Sequence, residues 1–551
     1  MKGRDIYNKI IGELNNQMRN RPFPLNVSYQ NKAEEIQNRF KENPGDLVRN
    51  LKDCLSIERL LITSINKEPE FEMERGQYME GSSKIGEEMR KIRQRSDHFE
   101  RTLQDLQVKT AGFLEFYLAK GEKLTKINKE MQGNVTEDQK QIKMKERALL
   151  EQQSEMETIA VYKSRKESQE LLVQLYDDVK TQVKEVWKFM DLYEKQQKLN
   201  VLDIKMGPPE GAVKDLNDMC EGVNEMLIRL KHYFDLFMDE CQRIRIVDDP
   251  TPDILAKYQR LFDEEANRHF NRIVVIDHHP HQILKISKGR SLTFPMTLRI
   301  LGPVSLGLNV NIPTVTVHLH PEKDLPVEMT PNKEVSKGIC TIHNASNVKA
   351  QFKASTRQLM VNFSSAQITS VKRPEARNRD ERVTEIKYGM IFSVNLNIAS
   401  QPRLIKKLSL PMILTSQSSQ EWAAKGTLFW DACFSEENRE YFQDAPKVRW
   451  EQVAELLHNI FKGQTKRGLT KEQLGYLAQR VMGPTVLHET EDYSQILITK
   501  EKFLKESLMN TNFSLWKWVY ACLNLIKESL SKEWEKGLIV GFISRERANG
   551  M

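Results

Sequence analysis

Apolar and polar side chains alternate with a period of two in one long region of the chain, between Val274 and Phe434. The clearest run is Thr314-Val315-Thr316-Val317-His318-Leu319-His320. This period is typical of half-buried strands. Turn-forming residues interrupt the region at short intervals, as at Gly302-Pro303 and Asn344-Ala345-Ser346-Asn347. The pattern predicts an antiparallel, immunoglobulin-like β-sandwich whose loop tips carry out its function.

A helical period replaces the alternation before this region. Between Ser82 and Gly133, apolar residues recur at spacings of three, four and seven, which places them on one helix face. A second helix is predicted from Thr136 to about Asn200, and Thr136 with Gln139 forms the capping-box pattern that favours a helix start. A helix of that length spans roughly 90–100 Å. The two helices should therefore protrude as a rod.

Two further amphipathic helices are predicted after the rod. The segment Gly207-Pro208-Pro209-Glu210-Gly211 breaks the second helix, because proline cannot donate to the helix ladder and glycine permits a reversal. A third helix is predicted from Val213 to Phe237. A fourth begins after Asp249-Pro250-Thr251-Pro252 and reaches Phe270. Consecutive amphipathic helices with tight breaks predict an antiparallel coiled-coil bundle.

Helical periodicity resumes at Trp450 and continues to Leu530. The segment from Phe513 is dense in large apolar side chains, as expected of the core helix of a compact domain. The predicted fold class is multidomain α+β, with an antiparallel four-helix coiled coil, an immunoglobulin-like β-sandwich and a small all-α domain. The predicted domains are a short helical lead-in at 1–80, the coiled coil at 81–276, the β domain at 277–445 and the all-α domain at 446–551.

Composition guides the functional interpretation only weakly. The chain has 551 residues, of which 29% are charged, and a net charge of +7. A small positive excess favours polyanionic partners such as nucleic acid. The six cysteines are scattered without metal-ligand spacing, which indicates reduced thiols of the cytosol or nucleus. Since no signal-peptide pattern and no apolar run of roughly 20 residues occurs, the sequence predicts an intracellular protein without membrane insertion.

Motifs near the end of the chain carry a resemblance to a known family. They are Lys466-Arg467-Gly468-Leu469-Thr470-Lys471-Glu472-Gln473-Leu474, Phe513-Ser514-Leu515-Trp516-Lys517-Trp518, Trp534 and Gly541-Phe542-Ile543-Ser544-Arg545-Glu546-Arg547. In order and spacing they resemble the linker domain of the STAT proteins, signal transducers and activators of transcription. The segments Asn31-Lys32-Ala33-Glu34-Glu35-Ile36-Gln37 and Cys54-Leu55-Ser56-Ile57-Glu58-Arg59 resemble the connection into the STAT coiled coil. The Gly207-Pro208-Pro209 break resembles the family's turn between its second and third helices.

The resemblance implies a coiled coil, an immunoglobulin-like DNA-binding domain and a helical linker domain in a latent transcription factor of the cytoplasm and nucleus. Such proteins clamp palindromic DNA as dimers, through loops at one end of the β domain. The chain is also expected to be truncated, because it ends at Ala548-Asn549-Gly550-Met551 where the family continues into its SH2 domain. Most of the N-terminal cooperativity domain is missing from the resemblance as well. A dimer made by reciprocal phosphotyrosine capture is therefore not expected from this polypeptide alone.

Two local departures from the family concern base recognition. In Thr427-Leu428-Phe429-Trp430-Asp431-Ala432-Cys433-Phe434 the family commonly has an asparagine that reaches bases where this chain has Ala432. Alanine has no donor or acceptor for a base edge. After Arg299-Ile300-Leu301, Gly302-Pro303 replaces a basic residue that the family often carries. We expect base readout to be weaker or rearranged.

The best candidate for DNA contact is a basic cluster that precedes a predicted strand at Val383-Thr384-Glu385. Its members are Lys372, Arg373, Arg377, Arg379 and Arg382. Such side chains neutralise phosphates without being buried, and the matching STAT loop lies on the DNA. The competing interpretation is a solvated loop, since Glu375, Asp380 and Glu381 dilute the positive charge.

Weaker candidates complete the predicted DNA-binding set. Lys337 and Lys349 flank the segment from Cys340 to Asn347. Thr384 and Asp431 are also included in the set.

Other charged and histidine motifs are interpreted as structural. The runs Lys143 to Arg147 and Lys163 to Lys166 could serve docking or nuclear import, but an exposed coiled-coil face is favoured. His278-His279-Pro280-His281 lacks acidic or thiol partners at ligand spacing, so a loop is favoured over a metal site. His318 and His320 lie on one strand face and are expected to be structural. No catalytic motif occurs, so we expect neither an enzyme nor a cofactor.

Two functional hypotheses remain. The first is a STAT-like, sequence-specific regulator of transcription that binds double-stranded DNA in signal-dependent gene control, of the cytokine or defence type. It would recruit protein partners through the coiled coil and could form homodimers or heterodimers with STAT-like proteins. The alternative is a regulatory adaptor or dominant-negative partner that acts through the coiled coil without binding DNA.

Overall fold

The structure, a computed structural model, describes most of the chain from residue 70 onwards. The described residues are 12, 38–40, 70–133, 136–199, 208–209, 211–286, 292–368, 371, 382–435, 439–483 and 493–549. Most of the predicted lead-in at 1–80 therefore lies outside the described residues.

Long helices form the first part of the described chain. They are α1 (Glu70–Met131), α2 (Glu137–Leu199), α3 (Ala212–Arg243) and α4 (Thr251–Phe270). The predicted coiled-coil helices are thus present, and α2 to α4 begin and end close to the predicted positions. α1 begins well before the predicted start at Ser82, and Tyr78 extends its buried seam because it is only 1% exposed.

The apolar seam of α2 forms the centre of the bundle over its second half. Its predicted members are at most 2% exposed: Leu172, Leu175, Val179, Val183, Val186, Met190 and Tyr193. The first half of α2 runs beside α1, and Lys143 forms an ion pair of 3.0 Å with Glu130 there. We call residues 105–131 and 137–163, the distal parts of α1 and α2, the rod.

Short strands follow the bundle, as the period-two pattern predicts. They are β1 (Val274–His278), β2 (Ile283–Lys285), β3 (Leu292–Phe294), β4 (Thr297–Ile300), β5 (Thr314–Pro321), β6 (Ile342–His343), β7 (Val348–Lys349), β8 (Gln351–Lys353), β9 (Gln358–Asn362), β10 (Ala366–Ile368), β11 (Tyr388–Ile398), β12 (Gln401–Leu408) and β13 (Ile413–Thr415). A short helix, α5 (Leu325–Glu328), lies between β5 and β6.

These strands form an immunoglobulin-like β-sandwich. Within the described strands, the sheets run β1-β4-β9-β8, β3-β10-β6 and β12-β11-β5-β7, and β2 pairs with β13 in parallel. Val315, Val317 and Leu319 of β5 point into the core and are at most 2% exposed. The alternation that predicted β5 is therefore the alternation of its buried and outward faces.

The bundle and the β domain share one continuous hydrophobic core. The loop after β4 lies on α3, where the Gly302 N–H donates to the Asn217 side chain at 3.1 Å. The Glu221 carboxylate accepts the N–H of Ser305 at 2.8 Å, and the Asn224 amide donates to the Gly302 carbonyl at 3.2 Å. Gly302 has a φ of +63°, which favours glycine. The Gly302-Pro303 segment thus connects the β domain to α3 in the interior of the protein.

The predicted β-structure up to Phe434 ends in a helix instead, α6 (Glu421–Phe434). One side of α6 packs against the β domain, where Leu428 joins Ile413 in a small core. The other side contributes Trp430 to the core of the C-terminal helices. Because both sides are apolar, the run lacks the amphipathic period by which helices are predicted.

The C-terminal part is mainly helical, as predicted. Its elements are β14 (Lys447–Arg449), α7 (Trp450–Thr465), α8 (Lys471–Met482), β15 (Leu497–Thr499), α9 (Lys500–Leu504), α10 (Leu515–Ser529), α11 (Ser531–Glu535) and α12 (Arg545–Asn549). The antiparallel pair β14–β15 departs from the all-α prediction. Trp516 and Trp534 are fully buried, and the Trp534 indole donates to the Arg467 carbonyl at 2.9 Å.

Candidate nucleic-acid interface

Strand register decides which loops share an end of the β domain. β11 begins at Tyr388, which pairs with Pro321 at the end of β5. Ile391 of β11 pairs with Leu408, the last residue of β12. Because neighbouring strands are antiparallel, the segments that follow β5 and β12 meet the segment that precedes β11. We call this the basic end, defined by residues 322–341, 382–387 and 409–412.

The basic cluster is only partly within the described chain. Lys372, Arg373, Arg377 and Arg379 lie outside the described residues, and their predicted contacts with DNA stay predictions. Arg382 is described and exposed. Its position just before β11 places it at the basic end.

The predicted strand at Val383-Thr384-Glu385 is a turn instead. The Glu385 N–H donates to the Arg382 carbonyl at 2.9 Å, which closes the turn. Thr384 is buried at 5% exposure, so its side chain lies beneath the surface. The prediction of a direct DNA contact for Thr384 is therefore not supported, because a duplex would meet the exposed residues above it.

Lys337 and Lys349 are both exposed, but they lie at different places along β5. Lys349 pairs with Thr314 at the start of β5. Lys337 precedes Ile339, whose N–H donates to Leu319 near the end of β5 at 3.0 Å. Five residues of strand separate the two attachment points, or about 17 Å. Lys337 belongs to the basic end, and Lys349 lies toward the opposite end.

The Asp431 carboxylate is buried and paired with two cationic side chains. Its side chain is 2% exposed, and both oxygens accept hydrogen bonds from the Arg439 guanidinium, at 2.8 and 2.7 Å. The Lys387 ammonium donates to Asp431 Oδ1 at 3.0 Å. Asp431 was included in the predicted DNA-binding set, but its carboxylate is buried and pairs with Arg439 and Lys387.

Lys387 lies at the centre of a buried ion cluster. Its ammonium is 2.9 Å from Asp444 and also donates to the Phe442 carbonyl. Asp444 accepts from Lys500 as well. Burial by itself would raise the pKa of Asp444, but the charges of Lys387 and Lys500 outweigh it and hold that pKa below its ordinary value. Each charge has opposite partners, as buried ions require.

A second ion pair fastens the same segment to the C-terminal helices. The Glu385 carboxylate is 2.9 Å from the Lys505 ammonium, just after α9. Together with Lys387, it ties residues 385–387 to the C-terminal domain at two points. The chain that leaves the basic cluster is thereby held in one position as it enters β11.

Sequence reasoning missed this ion cluster. Asp431, Asp444 and Lys500 are far apart in the chain, and no spacing rule connects them to Lys387. One local signal was present, since Lys387 lies directly before the apolar start of β11. A lysine that enters a buried strand needs a partner, which predicts a carboxylate nearby without identifying it.

Two histidines of the predicted structural motifs contact neighbouring loops in the described chain. The half-buried His279 ring lies 3.2 Å from Gln197 and accepts the Leu410 N–H at 3.3 Å. The His320 ring lies 3.2 Å from the Ser336 carbonyl, which positions the loop that carries Lys337. Within the described residues, no group of three or more His, Cys, Asp or Glu side chains is arranged to hold a metal ion.

Two family models match the chain. The model described as "STAT protein, DNA binding domain" covers residues 278–415, which include the basic cluster, Lys337 and Lys349. The model described as "Signal transducer and activator of transcription, linker domain" covers residues 437–519. No described helix combines the length and apolar character that a membrane crossing requires.

A helical bundle, an immunoglobulin-like β domain and a helical linker domain, in this order and with these two matches, have the architecture of STAT-like transcription factors. The chain thus contains a STAT DNA-binding domain and a STAT linker domain.

Proposed function

We propose that this protein binds duplex DNA in a sequence-dependent way through the basic end of its β domain, in signal-dependent control of transcription. The side chains of Lys372, Arg373, Arg377, Arg379 and Arg382 neutralise phosphates, and Lys337 adds a contact from the neighbouring loop. The protein acts in the nucleus and resides in the cytoplasm before its signal arrives. The match to the STAT DNA-binding domain supports this assignment.

The observation that carries the proposal is the anchoring of the basic segment. A charged loop loses conformational entropy when it binds, and this loss weakens binding. Here the exit of the basic cluster is fastened by Lys387 to Asp431 and Asp444, and by Glu385 to Lys505. Anchoring residues 385–387 lowers the entropy that the adjoining chain still has to lose when a phosphate backbone binds.

Fluorescence anisotropy with a labelled duplex tests the proposal. The probe is a palindromic duplex with a TTC…GAA element, and the reference is the same duplex with the element scrambled. We expect tighter binding to the element and weaker binding as salt rises. About five phosphate contacts give a slope of about −4 to −5 in a plot of log affinity against log salt.

A charge reversal locates the interface. Arg373→Glu with Arg377→Glu should abolish binding, because two phosphate contacts are replaced by repulsion. The matched control is Lys123→Glu with Lys126→Glu, which changes the net charge equally on the exposed rod. Equal loss in both variants would show that only net charge matters. No loss in the first variant would overturn the assignment of the basic end.

The second candidate function is an adaptor that acts through the coiled coil without binding DNA. The observation in its favour is the rod, which exposes large apolar side chains such as Leu118, Leu149 and Met156 at 57–70%. Absence of any preference for the element in the wild-type protein would favour the adaptor over the DNA-binding regulator.

A further inference from the structure

The rod carries an apolar seam that no part of the described chain covers. Ile142, Leu149, Met156 and Ile159 of α2 are 56%, 57%, 63% and 58% exposed. The first three are separated by seven residues each, and Ile159 follows Met156 by three. These are the spacings of heptad positions a and d in a coiled coil. We call these four residues the outer seam.

The outer seam differs from the face of α2 that packs in the bundle. Ser154 and Val161 are buried on the opposite side of α2. Arg165 is also buried, where it pairs with Asp249 between α3 and α4 at 3.0 Å. At 100° of rotation per residue, Arg165 lies about 160° around the helix from Lys163, which continues the outer seam. The rest of the bundle therefore leaves the outer seam open.

We propose that the outer seam pairs, antiparallel, with the same seam of a second copy of this chain. The charge pattern selects this partner. With Ile142, Leu149, Met156 and Lys163 at the a positions, the d positions are Asp138, Lys145, Gln152 and Ile159. In an antiparallel pair, each a residue of one helix faces a d residue of the other.

In the antiparallel register, Ile142 of one copy faces Ile159 of the other, and Asp138 faces Lys163. Leu149 faces Gln152 and Met156 faces Lys145, and the two Leu149 side chains lie side by side near the two-fold axis. Every layer occurs twice by symmetry, so the pair gains two apolar layers and two ion pairs at its ends. The seam is thus complementary to itself, as a two-fold interface requires.

The parallel register is disfavoured by the same residues. It places Asp138 against Asp138, Lys145 against Lys145 and Lys163 against Lys163, so three layers would bring like charges together. These three side chains are exposed, and none of the ion pairs formed among the described residues involves them. They are therefore available to a second copy. The outer seam shares no residue with the basic end, so the dimer and DNA binding can be tested separately.

Sedimentation velocity of the full chain without DNA tests the proposal. We expect a concentration-dependent dimer, and a weak one, because the seam offers few apolar side chains. Leu149→Glu should abolish it, since two carboxylates would meet at the axis. Met144→Glu is the matched control, because Met144 is 58% exposed on the same helix but lies outside the outer seam. A monomer at every concentration, or a dimer that Leu149→Glu leaves unchanged, would overturn the proposal.

Charge exchange and cross-linking test the register. Asp138→Lys and Lys163→Asp should each weaken the dimer, and the double variant should restore it. A mixture of Ile142→Cys and Ile159→Cys proteins should form a disulfide-linked dimer on oxidation, whereas either variant alone should not. Circular dichroism verifies that each variant keeps its helices. Self-linking of Ile142→Cys alone would show a parallel pair and would reject the antiparallel register.

Discussion

The basic end and the rod both depend on charged side chains, but they hold those charges in opposite ways. At the basic end, Lys387 and Asp431 are each 2% exposed and face each other at 3.0 Å. On the rod, Arg147 and Glu151 form a pair of the same length with 53% and 54% exposure. Breaking a buried pair leaves an uncompensated charge in the interior, so the pair holds the backbone in place. An exposed pair contributes little to stability. Burial, rather than the number of charges, therefore decides which region is rigid.

The largest expected effect comes from removing the centre of the buried cluster. Lys387→Met should lower the free energy of unfolding by about 3 kcal/mol or more, because Asp431 and Asp444 lose a buried cation. Urea unfolding followed by tryptophan fluorescence measures it, since Trp430 precedes Asp431 in α6.

The rod supplies the control for the buried cluster. Arg147→Met removes one partner of an exposed ion pair and should leave the unfolding midpoint unchanged. Equal losses of unfolding free energy in the two variants would show that the buried and the exposed ion pair contribute alike to stability.

A second comparison uses two leucines of the same helix. Leu172 is fully buried in the bundle, and Leu149 is 57% exposed on the outer seam. Leu172→Ala should cost about 2–5 kcal/mol of unfolding free energy, because it leaves a cavity. Leu149→Ala should leave the stability of the monomer unchanged. Thermal unfolding by circular dichroism at low protein concentration measures both. A large loss for Leu149→Ala would mean that the seam is covered within the chain.

The stability of the fold should depend on pH through a histidine that is buried in the helical bundle. His269 is fully buried, lies 2.9 Å from Asn224 and accepts the Trp187 N–H at 3.2 Å. Burial, aided by the nearby charge of Arg272, lowers the pKa of His269 from 6.5 to about 3. Below pH 6.5, His269 is therefore protonated in the unfolded chain but stays neutral in the folded chain. Stability should be complete above pH 6.5 and fall progressively toward pH 3.

The pH prediction is checked by the slope of stability against pH. The loss approaches about 1.4 kcal/mol per pH unit for each buried neutral histidine. Burial also depresses the pKa of His279 to about 3 and lowers the pKa of His318 and His320, so these four histidines contribute. His269→Gln should remove the share of His269, up to about 1.4 kcal/mol per pH unit between pH 6.5 and 4. An unchanged slope would assign the acid sensitivity to other groups.

The smallest expected effect separates the two ends of the β domain. Lys337→Glu should weaken binding to the TTC…GAA duplex several-fold and reduce the salt slope by about one. Lys349→Glu should change binding less, because Lys349 lies about 17 Å further along β5. Anisotropy titrations at three salt concentrations compare the two variants. A larger effect of Lys349→Glu would move the interface toward the opposite end.

The sequence by itself determined the elements whose side chains repeat with a clear period. The seam from Leu172 to Tyr193 predicted a bundle helix because its members share one face, and the alternation in Thr314–His320 predicted β5 because one face is buried. The motifs from Lys466 to Trp518 indicated the STAT linker domain, which the family match over residues 437–519 confirms. These conclusions depend only on near neighbours in the chain.

Only the tertiary structure decided where the charged and two-faced segments lie. α6 is apolar on both sides because it packs between two domains, so its run carried no helical period. Thr384 and Asp431 were included in the predicted DNA-binding set but are buried, and the partners of Asp431 come from other segments of the chain. The partners of Lys387 are set by how β11, α6 and α9 meet. Local patterns record the burial of a face, but the identity of a long-range partner depends on the packing of whole elements.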